Sequence, residues 1–309
     1  MKKKKAIIIT LAALAVVAIV VLVIVRPIGR PAAGKIAVIP LSGTIGSQEG
    51  SRFLGSTITP ELVRAYLRTA ERDAAVKAII LRIDSPGGTV PASQEILNEI
   101  ERVAEEKPIV VSIDNMAASG GYYISTGADM IVILPTAQTG SIGVISQIPN
   151  IEGLYDKLGI KIQTFKGGKY KDMYRGLREL TPEEEEILQE MVDEYYEHFI
   201  QVVAEGRGLS TDDVRDLATG QLYSGTEARR LGLVDELGDL DAALNLTAEL
   251  AGLERYVVEY YERPGLTLWS LLGFVDAIQA RLWGLSAQDI VLLETLSQSY
   301  PQPTFLYQG

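Results

Sequence analysis

Four short, nearly unbroken apolar runs, at residues 35–41, 78–83, 108–113 and 130–134, constrain the fold of this chain more than any other feature. Runs of that length, bounded by turn residues, read as buried strands. Helix signals lie between them. Thr59-Pro60-Glu61 supplies an N-cap, a proline at the first helical position and an early acid, and a second helix is expected at about 92–106. Strands alternating with helices imply an α/β fold with a largely parallel sheet. Further along, helices are expected at 151–158, 211–217, 225–231 and 240–251, with strands at 161–165 and 256–260. Thr181-Pro182-Glu183-Glu184 opens a long amphipathic helix to about residue 205, with Gly206 and Gly208 as its stop.

Ahead of this domain lie 20 residues, 6–25, apolar except for Thr10. As a helix they would span about 30 Å, the thickness of a bilayer core. A cleaved signal peptide fits less well, because its apolar region is shorter. Four lysines precede the run, so the positive-inside rule predicts a single-pass membrane anchor with the body outside the cytoplasm. Residues 1–34 are thus stub, anchor and linker, 35–262 the domain, and 263–309 an apolar C-terminal segment carrying Trp269 and Trp283. The two tryptophans suit a membrane interface or an oligomer contact equally well. Beyond residue 30 the chain has 23 bases against 40 acids, which argues against a nucleic-acid partner.

The chemistry is narrowed by what is scarce. There is no cysteine, which removes thiol nucleophiles and thiolate metal sites, and a single histidine, His198, set in the long helix among charged and aromatic residues. Ser119 follows a buried strand and opens a helix, where free N–H groups can stabilise an anion. On its own, Ala-Ser-Gly-Gly reads first as a plain helix cap whose glycines, Gly120 and Gly121, allow close packing. If Ser119 is a nucleophile and His198 is not its base, a neutral lysine is the remaining activator. Holding a lysine neutral near pH 7 means lowering its pKa by roughly 3 units, which calls for burial away from carboxylates. Lys169 and Lys171 in the glycine-bearing stretch 166–172 are the candidates, and their spacing does not separate them. The same stretch lacks the spacing of a phosphate-binding loop.

Four segments in order, IDSPGG at 83–88, MAASGGYYIS at 116–125, TGSIGV at 139–144 and KYKD at 169–172, resemble the signal peptide peptidase A family of membrane-anchored serine proteases. GLVDELG at 232–238 extends the likeness more weakly. The resemblance implies a Clp-protease/crotonase-like α/β domain behind an N-terminal transmembrane helix. It also implies a Ser-Lys dyad with Ser119 as nucleophile, Lys171 as general base and Ser141 positioning the lysine amine. The Gly88 amide would be the oxyanion donor, with Gly87 shaping the approach. It further implies peptide or unfolded-protein substrates, remnant signal peptides above all, a ring-shaped homo-oligomer (an octamer in short members) in which the apolar segment 263–309 would be an oligomer contact or line a groove, and neither metal nor cofactor. Two other readings share the fold: a membrane scaffold that does not cleave, and an acyl-CoA enzyme that would need neither Ser119 nor Lys171.

Overall fold

The computed structural model describes residues 34–47, 57–261 and 304–306. The apolar run at 6–25 and the segment holding Trp269 and Trp283 lie outside these residues, and among the described residues no helix is long and apolar enough to cross a membrane. In chain order the strands are β1 (Gly34–Ser42), β2 (Thr44–Ile45), β3 (Thr57–Ile58), β4 (Val76–Ser85), β5 (Gly87–Thr89), β6 (Ile109–Ala118), β7 (Met130–Ile133), β8 (Gln138–Gly140), β9 (Leu222–Ser224), β10 (Glu236–Leu237), β11 (Tyr256–Tyr260) and β12 (Thr304–Leu306). The helices are α1 (Pro60–Arg72), α2 (Val90–Ala104), α3 (Gly120–Ser125), α4 (Glu152–Lys157), α5 (Pro182–Arg207), α6 (Thr211–Leu217), α7 (Gly225–Arg230) and α8 (Leu240–Leu250).

The main sheet runs β10-β7-β6-β4-β1-β11 with every neighbouring pair parallel, and β8 continues alongside the far end of β6. The apolar runs are continuous because both faces of this sheet are covered. Odd-numbered residues Ala37, Ile39, Ile79, Leu81, Ile109, Val111, Ile131 and Ile133 join the larger core, packed with buried residues of α1, α2 and α5. Even-numbered Ile36, Val38, Ile80, Val110 and Val132 face Ala243, Leu244 and Ala248 of α8. The period of two puts alternate side chains on opposite faces, so these strands are apolar throughout.

The expected helix starts are present: Thr59 accepts a hydrogen bond from Leu62 N, and Thr181 with Glu184 forms a reciprocal capping box at α5. The stop of α5 differs from expectation in one detail. The helix runs through Gly206 to Arg207 and ends at Gly208, whose φ of 63° is left-handed. Gly206 serves contact instead, since a Cβ there would lie 2.5 Å from the Thr126 carbonyl oxygen.

No strand forms at 161–165. Residues 161–169 are exposed throughout, and among the described residues no strand pairs with their backbone. Alternating apolar residues promise a strand only where an edge is available to meet them.

Asp235 of the GLVDELG stretch has a structural role. Its carboxylate accepts two hydrogen bonds from the buried Arg207 guanidinium, at 2.7 and 2.9 Å, and one from Ile131 N at 2.7 Å, tying the end of α5 to β7. Asp235→Ala leaves that guanidinium buried and unpaired, which costs about 3 kcal/mol or more. Thermal unfolding of the variant should fall by about 6–12 °C for a domain of this size. A melting temperature within 1 or 2 °C of the parent (roughly the response to 0.5 kcal/mol) would mean the pair contributes nothing.

Candidate active site

Three of the candidate positions converge where parallel strands end. The β4–β6 register pairs Ser85 with Ala117, and the β6–β8 register pairs Ala118 with Gly140. The residues that follow are therefore neighbours, with Gly87 and Gly88 beyond β4, Ser119 beyond β6 and Ser141 beyond β8. The carboxyl ends of parallel strands are where α/β folds place their sites.

Among the described residues, Ser119 and Ser141 are the two non-glycine residues with positive φ, at 53° and 50°. Ser119 combines this with a ψ of −118°, well away from the left-handed helical basin, a conformation costing about 1–3 kcal/mol. The bonds around it hold it there. Ser119 N donates to Gly140 O at 2.8 Å, Tyr123 N donates to Ser119 O at 2.8 Å, and Ser141 N donates to Gln221 O at 2.8 Å. Ser119 is 1% exposed and its Oγ has no hydrogen-bond partner. A plain cap would bond the helix it starts, and Ser119 makes no side-chain cap bond to α3.

The glycines are fixed by contact. A Cβ on Gly120 would lie 2.7 Å from Ser93 Oγ and 3.0 Å from Gly88 N, so the Gly88 amide is packed against the residue after Ser119. A Cβ on Gly88 would fall 1.8 Å from Ile45 O, so β2 lies against it. Gly87, with φ of 105°, donates its N–H to the buried Ser85 Oγ at 3.1 Å, which shapes the turn. Beside Ser141 a cavity of about 510 Å³ opens, bounded by Val144, Val192, Tyr196 and Ala218.

Lys171 is not brought to this cluster. Its side chain is exposed, and the orphaned Ser119 Oγ shows that no amine lies within bonding reach. The backbone beside it is nevertheless anchored. Asp172 accepts from Arg178 at 2.9 and 3.2 Å, and Arg178 also clamps Glu184 in the first turn of α5 with two bonds of 2.7 Å. The Arg178 guanidinium holds the Asp172 carboxyl well below the usual carboxylate range. Lys169 differs from its neighbour: it pairs with Glu183 and sits over the Tyr170 ring, and the hydrogen bond to Glu183 raises its pKa. Among the described residues Lys171 has no ion pair. His198 is also elsewhere, its Nε2 lying 2.7 Å from Gln94 Oε1 and 3.1 Å from the Tyr123 hydroxyl.

Residues 101–254 match the profile of Peptidase family S49, and residues 49–142 match that of Clp protease. The chain is 40% identical over 282 residues to a putative protease of Synechocystis sp., an alignment covering 89% of this chain and 96% of that one. The chain belongs to peptidase family S49. A putative signal peptide peptidase of Enterococcus faecium is 38% identical over 280 residues, covering 89% of this chain and 81% of its own length. The chloroplastic serine protease SPPA of Arabidopsis thaliana is 33% identical over 248 residues, or 79% of this chain and 37% of the relative. The resemblance carried by the four motifs is borne out, as is the α/β fold with its parallel sheet, and membership in S49 makes the chain a serine-type peptidase.

Several residues of this S49 peptidase that shape the site carry no sequence signal of their own. Ser93 lies in an ordinary helical context, and the Gly140 carbonyl that receives Ser119 N could only be found from the β6–β8 register. The Asp172–Arg178–Glu184 clamp had a trace, an acid and a base six residues apart just ahead of a capped helix.

Proposed function

We propose that this S49 peptidase is a membrane-anchored serine endopeptidase in which Ser119 is the nucleophile and Lys171 the general base. The supporting observation is the pair of strained serines, set side by side on neighbouring strands next to the Gly87–Gly88 turn. Strain held in place by surrounding bonds clusters at reacting groups. In the first step Lys171 Nζ, neutral and held by the Ser141 hydroxyl, takes the proton from Ser119 Oγ as that oxygen attacks the scissile carbonyl carbon. The Gly88 N–H stabilises the oxyanion, an interaction worth about 3–4 kcal/mol in the transition state. Collapse of the tetrahedral intermediate breaks the C–N bond, the Lys171 ammonium returns the proton to the leaving amine, and an acyl ester remains on Ser119. Water then attacks this ester with Lys171 again as base, which releases the acid and restores the hydroxyl.

Lys171 is the better assignment of the two lysines, because Lys169 has a carboxylate partner that keeps it charged. Since Lys171 stands away from Ser119 in the single chain, the working site belongs to an assembled state. The arm that leads to it exposes Leu154, Leu158, Ile160, Ile162 and Phe165, the last 92% exposed. An apolar surface of this kind fits a second copy of the chain in a ring. The cavity beside Ser141 leaves room for an incoming amine. Substrates on this reading are extended apolar peptides such as remnant signal peptides, met on the outer side of the membrane by a domain anchored through residues 6–25.

The test compares the full chain with Ser119→Ala, Lys169→Ala and Lys171→Ala on a synthetic signal peptide in detergent. Ser119→Ala and Lys171→Ala should lose at least about 1,000-fold in kcat, the scale of removing a member of a catalytic pair. Lys169→Ala should stay within about threefold. Reversed behaviour of the two lysines would move the base to Lys169, and retained activity in Ser119→Ala would end the proposal.

A further inference from the structure

The motif at 83–88 contributes its two glycines to the proposed site, and its serine is left without a role. Ser85 is the last residue of β4 and is buried. Across the sheet it lies in one row with Ala117 of β6 and Thr139 of β8, both buried as well. Two residues beyond each member of that row stand Gly87, Ser119 and Ser141. Ser85 therefore lies one pleat below the oxyanion turn.

Its hydroxyl is committed to that turn. Gly87 N donates to Ser85 Oγ at 3.1 Å, a side-chain turn that spans Pro86. Proline fixes one backbone angle there, but the next peptide plane, which carries the Gly88 N–H, hangs on Gly87. With φ of 105°, Gly87 holds a conformation that glycine enters and leaves at little cost. The bond to Ser85 restricts that freedom and takes the Gly87 N–H out of competition with the Gly88 N–H for an anion. Ser85 meets the nucleophile helix too. A Cβ on Gly121 would lie 2.8 Å from Ser85 O and 3.2 Å from Ser85 Cβ, so α3 is seated on this residue. One buried serine thus touches the donor turn and the helix that follows Ser119.

We propose that Ser85 is a positioning residue for the oxyanion: its hydroxyl fixes the Gly87 peptide so that the Gly88 N–H is aimed at the scissile carbonyl oxygen. This rests on the roles of Gly88 and Ser119 given above, and it adds the group that keeps donor and nucleophile in register. An oxyanion donor acts by being in place before charge develops, and a misplacement of about 1 Å can cost about 100-fold in rate. Two consecutive glycines have no side chains with which to lock their own turn. Ser85 supplies the lock from below.

The test compares full-length Ser85→Ala and Ser85→Cys with the parent on the synthetic signal peptide and on an inhibitory peptide aldehyde, with active sites counted by a fluorophosphonate. Ser119 Oγ adds to the aldehyde carbon, its proton passes to the base, and the aldehyde oxygen becomes the anion that faces the Gly88 N–H. Ser85→Ala should lower kcat per active site by about 10- to 100-fold with KM within about threefold, and weaken aldehyde binding by the same factor as kcat/KM. Ser85→Cys keeps the side chain's size but offers a weak acceptor, so its loss should be smaller and in the same terms, which covers the case of an alanine variant that does not fold. A merely structural serine would lower the melting temperature and the number of active sites, and leave kcat per site and aldehyde affinity unchanged. That result, with the parent active and Ser119→Ala inactive, would overturn the positioning role alone. Cleavage that survives Ser119→Ala, or a parent that cleaves nothing, would sink the serine mechanism and the positioning role with it.

Discussion

Mixing full-length Ser119→Ala with full-length Lys171→Ala, each inactive alone, should restore peptide cleavage. The expectation follows from the separation of Lys171 from an orphaned Ser119 Oγ and from the exposed apolar arm that carries it. If a neighbouring copy supplies the lysine, an equimolar mixture with random exchange gives about a quarter of the sites an intact serine facing an intact lysine. Activity should therefore recover to about 25% of the parent, from a baseline at least about 1,000-fold lower. The two variants must exchange subunits, for example by co-expression with two different purification tags. A co-purified mixed assembly that remains inactive would show that Lys171 reaches Ser119 within its own chain, or that it is not the base. A substitution of Phe165 by Asp gives an independent check, since a charge in an interface core should weaken assembly and cleavage together.

How much of this was legible beforehand depended on whether a property belonged to one residue or to a pairing. The layered α/β architecture was legible because burial on both sheet faces leaves a mark on every strand residue: Ile36 and Ala37, or Ile80 and Leu81, are all apolar although they face opposite layers. Helix starts were legible because Thr59 and Thr181 bond only three residues onward. The strand expected at 161–165 failed because strand formation needs a partner edge, and nothing inside those five residues reveals that no described strand lies beside them. Lys171 is the same kind of case at the site. Its motif marks the residue, yet its distance from Ser119 depends on where an exposed arm goes after leaving β8. Gly120 and Gly121 signalled close approach, whereas the strained backbones of Ser119 and Ser141 did not, because serine is unremarkable at either position until φ is known.

Gly120→Ala offers the sharpest separation between packing and catalysis. The added methyl would sit 2.7 Å from Ser93 Oγ and 3.0 Å from Gly88 N, so both neighbours must give way. Overpacking of this size costs about 1–3 kcal/mol in stability. Displacing the Gly88 amide from its place beside Ser119 should also cost about 100- to 1,000-fold in kcat, the range seen when one oxyanion donor is lost. Ser93→Ala removes the closer contact, because Ser93 Oγ, now bonded to Thr89 O at 3.0 Å, is then absent. The double variant Gly120→Ala/Ser93→Ala should thus regain most of the lost melting temperature while kcat stays low, because the 3.0 Å contact with Gly88 N persists. Thermal melts and steady-state kinetics on the single and double variants supply the comparison. Recovery of kcat together with stability would assign the whole effect to packing around Ser93 and remove Gly88 from the oxyanion role. Recovery of stability alone ties the rate to the position of one backbone N–H.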